Sequence, residues 1–297
     1  MFLFKEIKDL NFKYLLILFL LIISFKTLFF FTGFILEDSY IAFRSAFNLA
    51  DFGKFSYNLD ETNTGVTSKI FGLVCAFFRL IFKEYAILSI VAFNTIISFF
   101  SSLFIFICIK NIFYNEDRVL LKNDIFILIA IIFLNPSISI IGVVGLEFSV
   151  LVFFISLVLL GIIKDKKTLI SLVLFIPFLR IELIGFVLIL SFFYLYFLKL
   201  KKFFLIIFFG ILGSLLNLYL NYIFDGSYLP GTAVAKWNTL SNANDFSLNR
   251  IFNDLNYWYF SERSFFLGIY SKYIPNFIYA LSGSAILIYA NAFEKDS

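Results

Sequence analysis

The chain alternates long apolar runs with short charged corners. The apolar runs cover residues 14–34, 66–82, 85–109, 125–141, 148–163, 168–179, 183–198, 203–224 and 274–293. Most approach the ~20 residues that a helix needs to cross a hydrocarbon layer. The run 168–179 is too short for a straight crossing and reads as a broken helix ending near Pro177, of the kind tolerated where it lines a cavity. The run 66–82 is interrupted by Lys69 and Arg79. Parity decides its nature. If it does not cross, the basic loops 110–122, 164–167 and 199–202 all fall on one side, together with an N-terminus carrying Lys5, Lys8 and Lys13. The excess of Lys and Arg in cytoplasmic loops favours that arrangement. Residues 66–82 are therefore expected to be re-entrant or interfacial, and 14–34, which has no small-residue cleavage site at its end, to be a retained first span.

On that parity the other corners face outward. They carry Glu37 and Asp38, then Glu147, then Arg180 and Glu182, then an outer loop at 225–265. The first outer loop, 35–83, opens with an amphipathic pattern. Tyr40, Phe43, Phe47 and Ala50 recur at three- and four-residue steps, while Arg44, Asn48 and Asp51 fall on another face. Asp38 or Ser39 would cap such a helix and Gly53 would stop it. Its aromatic and charged sides suit the plane of a membrane interface. Residues 54–69, rich in Asn, Asp, Thr and Gly, read as irregular loop. The expectation is an all-α, polytopic transmembrane helix bundle with an interfacial helix in its first outer loop, forming a single membrane domain over 1–297.

Composition agrees with lipid as the solvent. Of 297 residues 61% are hydrophobic, and the mean hydropathy is +0.96. The net charge of +4 is modest and sits in the loops, so it speaks to topology and not to nucleic acid. There is no histidine, which removes His triads, His-ligated metals and His bases. Cys75 and Cys108 both lie in apolar runs and make neither a disulfide framework nor a zinc site. Acid–base chemistry would fall to Asp, Glu, Lys or Tyr.

The polar corners carry the candidate chemistry. Adjacent carboxylates at a membrane corner are costly unless they face water, a cation or a substrate. Glu37 and Asp38 would act as a general base, hold a divalent cation such as Mg or Mn, cap the following helix, or combine these roles. Glu147 begins a span, where the helix dipole alone favours an acid. Arg180 and Glu182 would form a mutual ion pair or present a guanidinium to phosphate. Lys236, beside Trp237, suits an interfacial anchor or a phosphate ligand. The charges inside apolar runs are few, chiefly Lys26 and Arg79. Residues 245–263 mix aromatic and charged side chains, fitting either sugar stacking or an interfacial belt.

Five stretches in order resemble the GT-C superfamily of polytopic glycosyltransferases, nearest the branch of mycobacterial terminal arabinofuranosyltransferases. They are Glu37-Asp38-Ser39-Tyr40-Ile41 with Arg44 and Asn48-Leu49-Ala50, then Gly53 through Asn58 to Gly65-Val66-Thr67-Ser68. Gly145-Leu146-Glu147, Arg180-Ile181-Glu182 and Leu229-Pro230-Gly231-Thr232 with Ala235-Lys236 follow. The chain departs from that branch in having Glu37 where Asp is usual and Ile181 where Pro is usual, and members are commonly longer. The resemblance implies a polyprenyl-phosphate sugar donor and a cell-envelope glycan or lipid-linked saccharide acceptor, at the outer face of a bacterial inner membrane. It makes Asp38 the base with Glu37 assisting or sharing a cation, Arg180 and Lys236 the groups that neutralise the leaving phosphate, and Glu147, Glu182 and Arg44 groups that bind sugar hydroxyls or hold the site's other side chains in place. A lipid-linked saccharide flippase and an inactive partner of another transferase are the competing expectations.

Overall fold

Every regular element among the described residues is helical, and none is a strand. The computed structural model of the chain describes residues 37–113 and 145–230, with Leu20, and leaves aside the side chains of Glu37, Lys110, Ile112 and Phe113. The expected spans 14–34 (Leu20 apart), 125–141 and 274–293 lie outside the described residues, as do Lys26, Lys236 and residues 245–263. The chain divides into two units, 1–111 with 120–234, and 112–119 with 235–297. The elements below belong to the first, save the last two residues of α3.

Helix α1, Glu37–Phe52, includes the acidic pair, so Asp38 and Ser39 lie within it and neither caps it. The helix stops at Gly53, whose N–H reaches Leu49 O at 2.9 Å while Lys54 N reaches Asn48 O at 3.3 Å. The buried face takes in most of the aromatic stripe, since Phe43 is buried and Phe47 and Ala50 pack against the same core. Ser39, Ala42, Phe43, Ser45 and Ala46 are buried, whereas Tyr40 is 49% exposed. Phe43 and Ala46 pack against Phe71, Cys75 and Ala76 of α2, Lys69–Phe82, while Ala42 packs with Phe55 and Val66 and Ser39 lies beside Gly145.

Helix α2 is capped by the Ser68 hydroxyl, which accepts from Phe71 N at 3.4 Å. A one-turn 3-10 segment, Lys83–Tyr85, separates it from the long α3, Ala86–Phe113. Phe43 and Ala46 of α1, Phe71, Cys75 and Ala76 of α2 and Ile90 of α3 share one core. Farther along, Leu103, Phe104 and Ile107 of α3 pack on Leu157 and Leu160 of α4, Phe148–Ile163. The bounds of α4 match the expected run, because Glu147 and Lys164 bracket it.

The short run is broken, as its length requires. It comprises α5, Lys167–Ile170, a 3-10 turn, Ser171–Leu174, and α6, Phe175–Leu179. The last piece ends two residues past Pro177, near where it was expected to end, and the irregular turn lies just before the proline. A proline ring clashes with the carbonyl four residues back, here Val173, and the 3-10 turn takes up that misfit. A second 3-10 turn, Ile181–Leu183, leads into α7, Ile184–Tyr196, and then α8, Leu200–Asp225.

Helix α8 has two faces. Ile206, Gly210, Gly213, Asn217 and Asn221 are buried. A side-chain carbon on Gly210 would come 2.4 Å from Val187 of α7, and one on Gly213 would come 2.0 Å from the Leu174 carbonyl oxygen. The missing side chains allow backbone-to-backbone approach, which is how apolar helices associate without a hydrophobic gain between them. The opposite face, Phe204, Phe208, Ile211, Leu215 and Tyr219, is exposed. Among the described residues two stretches, Lys69–Ile109 and Leu200–Asp225, are long and apolar enough to cross a membrane.

Candidate functional site

The site begins at a glycine. Gly145 has φ +78°, and a side-chain carbon there would lie 3.0 Å from Phe43 Cζ and 3.2 Å from Ser39 Cβ. This corner therefore seats directly on α1 at Ser39 and Phe43, close in sequence to Glu37 and Asp38. From its other side Asn94 of α3 donates its Nδ2 to the Leu146 carbonyl at 3.2 Å. Held between α1 and α3, the corner delivers Glu147 to the start of α4, with 4% of its surface exposed.

Arg180 arrives from the opposite direction. It ends α6 in an extended conformation, φ −143° and ψ 111°, which turns its side chain out of the helical path. Its Nε lies 3.1 Å from Glu147 Oε1 and 3.2 Å from Glu182 Oε1. The guanidinium carbon is 5.0 Å from the centre of the Phe148 ring. Neither carboxylate is aligned as a hydrogen bond to Nε, so that buried N–H is left without an acceptor. The Asn217 amide of α8 donates to Phe178 O at 2.8 Å and so ties down the end of α6.

A gradient of exposure runs through this group, from buried Glu147 through Arg180 to Glu182, whose side chain is 52% exposed. Burial pushes the Glu147 carboxyl above the usual glutamate range. The Arg180 charge opposes the shift, and the charges of Glu182 and Asp38 add to it. Asp38, exposed on α1, is thus near enough to act on Glu147. Three carboxylates stand against one guanidinium, which leaves the group acidic when all are ionised.

Arg44 is engaged elsewhere. Its Nη2 donates to Asn58 Oδ1 at 3.0 Å and its guanidinium covers the Tyr57 ring at 4.4 Å, while Asn58 donates to Glu61 at 3.0 Å. This arrangement orders the loop between α1 and α2. Among the described residues no group of three or more carboxylate, thiol or imidazole ligands has metal-holding geometry. The Glu37 side chain and Lys236 lie outside the described residues.

Two further charge pairs brace the surroundings, and residue patterns alone did not reveal either. Lys69 Nζ lies 2.6 Å from Asp225 Oδ2, contacts Thr64 Oγ1 and donates to Val66 O at 2.6 Å. Thr64 N donates to Asp225 Oδ1 at 3.1 Å, and the Ser45 hydroxyl donates to Thr64 O at 2.5 Å. The Gly65-Val66-Thr67-Ser68 stretch is thereby fastened to the end of α8. Arg79, taken from sequence as a charge in an apolar run, forks onto Asp51 with contacts of 2.8–3.1 Å. Asn94 and Asn217 were detectable as amides in apolar runs, where polar groups seek partners. Comparison of the chain with protein-family models, with curated proteins and with solved structures returns no match.

Proposed function

We propose that the chain is a membrane glycosyltransferase that moves a sugar from a polyprenyl-phosphate donor to a cell-envelope glycan or lipid-linked acceptor at the outer membrane face. The observation that carries this reading is the Arg180 Nε held between Glu147 and Glu182, with Asp38 electrostatically coupled to Glu147. Three of the five stretches that resemble the GT-C superfamily supply these residues.

In this reading Asp38 accepts the proton of the acceptor hydroxyl as its oxygen attacks the anomeric carbon. The bond from that carbon to the phosphate oxygen breaks, and polyprenyl phosphate leaves with the electron pair. Arg180 meets the charge that develops there. Lys236 would join it. Glu147, buried beneath Arg180, keeps the guanidinium in place, Glu182 meets sugar hydroxyls, and Arg44 holds the loop beside the site through Asn58 and Tyr57. Glu37 assists Asp38 or shares a divalent cation with it. The two long apolar helices and the exposed apolar face of α8 support residence in a membrane.

The test is transfer by the purified full chain with a panel of polyprenyl-phosphate sugars, read by mass spectrometry of the lipid-linked product. Asp38→Asn should abolish transfer at unchanged membrane yield. Undiminished turnover by that variant would remove Asp38 from the mechanism. A wild-type chain inert with every donor, yet required for transfer by another protein, would point to the partner role.

A further inference from the structure

Away from the acidic corner, two turns of the same unit come together and both are basic. Residues 164–167 read Lys-Asp-Lys-Lys and residues 199–202 read Lys-Leu-Lys-Lys, which is six lysines against a single acid. Lys202 Nζ lies 2.5 Å from Asp165 Oδ1 and joins the turns. Its ammonium also sits 5.5 Å from the centre of the Tyr194 ring. Lys202 holds the Asp165 carboxyl below the usual range, and the charges of Lys199 and Lys167 act on it as well. The one acid is therefore spent on one lysine, while Lys167, Lys199 and Lys201 are exposed.

The same turn is apolar at its tip. Tyr196 and Leu198 are each 82% exposed, and Phe197 and Leu200 are exposed too. Leu198 has φ +53°, a left-handed conformation that a branched side chain rarely takes. Such strain persists where surrounding structure or function requires it. The exposed apolar face of α8 continues from this tip through Phe204 and Phe208. Cationic heads interleaved with outward apolar side chains, at the end of a lipid-length helix, match a lipid at its headgroup level better than a soluble anion.

We propose that the turns at 164–167 and 199–202 form a binding surface for anionic phospholipid headgroups, with Lys167, Lys199 and Lys201 as the phosphate contacts and Phe197, Leu198 and Leu200 seated among the acyl chains. The surface rests on the reading of the chain as a membrane protein and is independent of the transferase reading.

The experiment is native mass spectrometry of the full chain in detergent, offered phosphatidylglycerol or phosphatidylcholine. Wild type should retain phosphatidylglycerol preferentially, and the preference should fall with added salt. The triple variant Lys167→Gln, Lys199→Gln, Lys201→Gln should lose it by on the order of tenfold. The matching Arg triple variant should keep it, which separates lost charge from lost fold. Equal retention of the two lipids by wild type overturns the proposal, as does an unchanged preference in the Gln variant. Displacement by inorganic phosphate as efficient as by phosphatidylglycerol itself overturns the commitment to a lipid. Alkaline carbonate extraction of membranes tests the underlying reading separately. Release of wild type would overturn membrane residence, whereas retention without lipid preference overturns the headgroup surface alone.

Discussion

The ammonium of Lys69 lies 2.6 Å from the carboxylate of Asp225, and both side chains are almost wholly buried. The pair joins the N-terminus of α2 to the C-terminus of α8, with Thr64 contacting both members. Removing one partner of a buried pair leaves an uncompensated charge and costs ~3–5 kcal/mol, more than the pair itself contributes. Asp225→Ala and Lys69→Met should therefore each lower the detergent-solubilised chain's stability by about that much. The double variant should lose less than the two single losses added together. Additive losses in a double-mutant cycle would show that the two groups act separately.

Glu147 predicts a pH dependence with a definite sign. Its carboxyl is raised, chiefly by burial, so the folded chain binds that proton more tightly than the unfolded chain does. The contribution to stability is complete below the ordinary glutamate pKa and is lost as pH rises through the raised value. Glu147→Gln should flatten that part of the profile. Arg180→Gln removes the charge that opposes the shift, and so should move the decline to higher pH. Thermal unfolding followed across pH reads both, and an Arg180 variant with its decline at lower pH contradicts the pairing.

The glycines of α8 should respond differently to the same change. At Gly213 a methyl group would meet the Leu174 carbonyl oxygen, which belongs to backbone and cannot move aside. At Gly210 it would meet Val187, a side chain that can be shortened. Gly210→Ala should lose ~1–3 kcal/mol through overpacking and be largely restored by Val187→Ala. Gly213→Ala should lose more and gain nothing from trimming a neighbouring side chain. Tm measurements on the three variants decide it.

If Arg180 meets the leaving phosphate, its planar fork matters as well as its charge. Arg180→Lys keeps the charge but loses the geometry, and transfer should fall by ~10²–10³, the cost of removing one preorganised donor. Asp38→Asn should lose at least ~10². Glu182→Gln, at the exposed rim, should weaken acceptor or donor binding more than turnover. Steady-state kinetics that show a pure turnover defect in Glu182→Gln would place that residue nearer the reacting atoms.

The helices were largely legible because apolar runs end where charges begin. Glu147 and Lys164 bracket α4 in sequence and in structure. What escaped was packing. The spacing put Tyr40, Phe43, Phe47 and Ala50 on one side of α1; Phe43 is buried against α2 and α3, whereas Tyr40 is left 49% exposed. The juxtaposition of Glu147, Arg180 and Glu182 was legible only as polar corners on one side; the shared Nε is a tertiary fact. Lys69 and Asp225 were invisible as a pair, since one read as an interruption of an apolar run and the other as the start of a loop. Nothing local in either segment signals the other.

The brevity of α6 has its own consequence. Five residues make too short a rod to keep a heading unaided, and the Asn217 amide pins Phe178 two positions before Arg180. The aim of the guanidinium is thus inherited from a 26-residue rod. Such rods lean to suit the thickness of the layer around them. If the chain is the proposed membrane transferase, reconstitution in lipids of graded acyl length should modulate turnover, as a tilt of α8 swings Arg180 toward or away from Glu147.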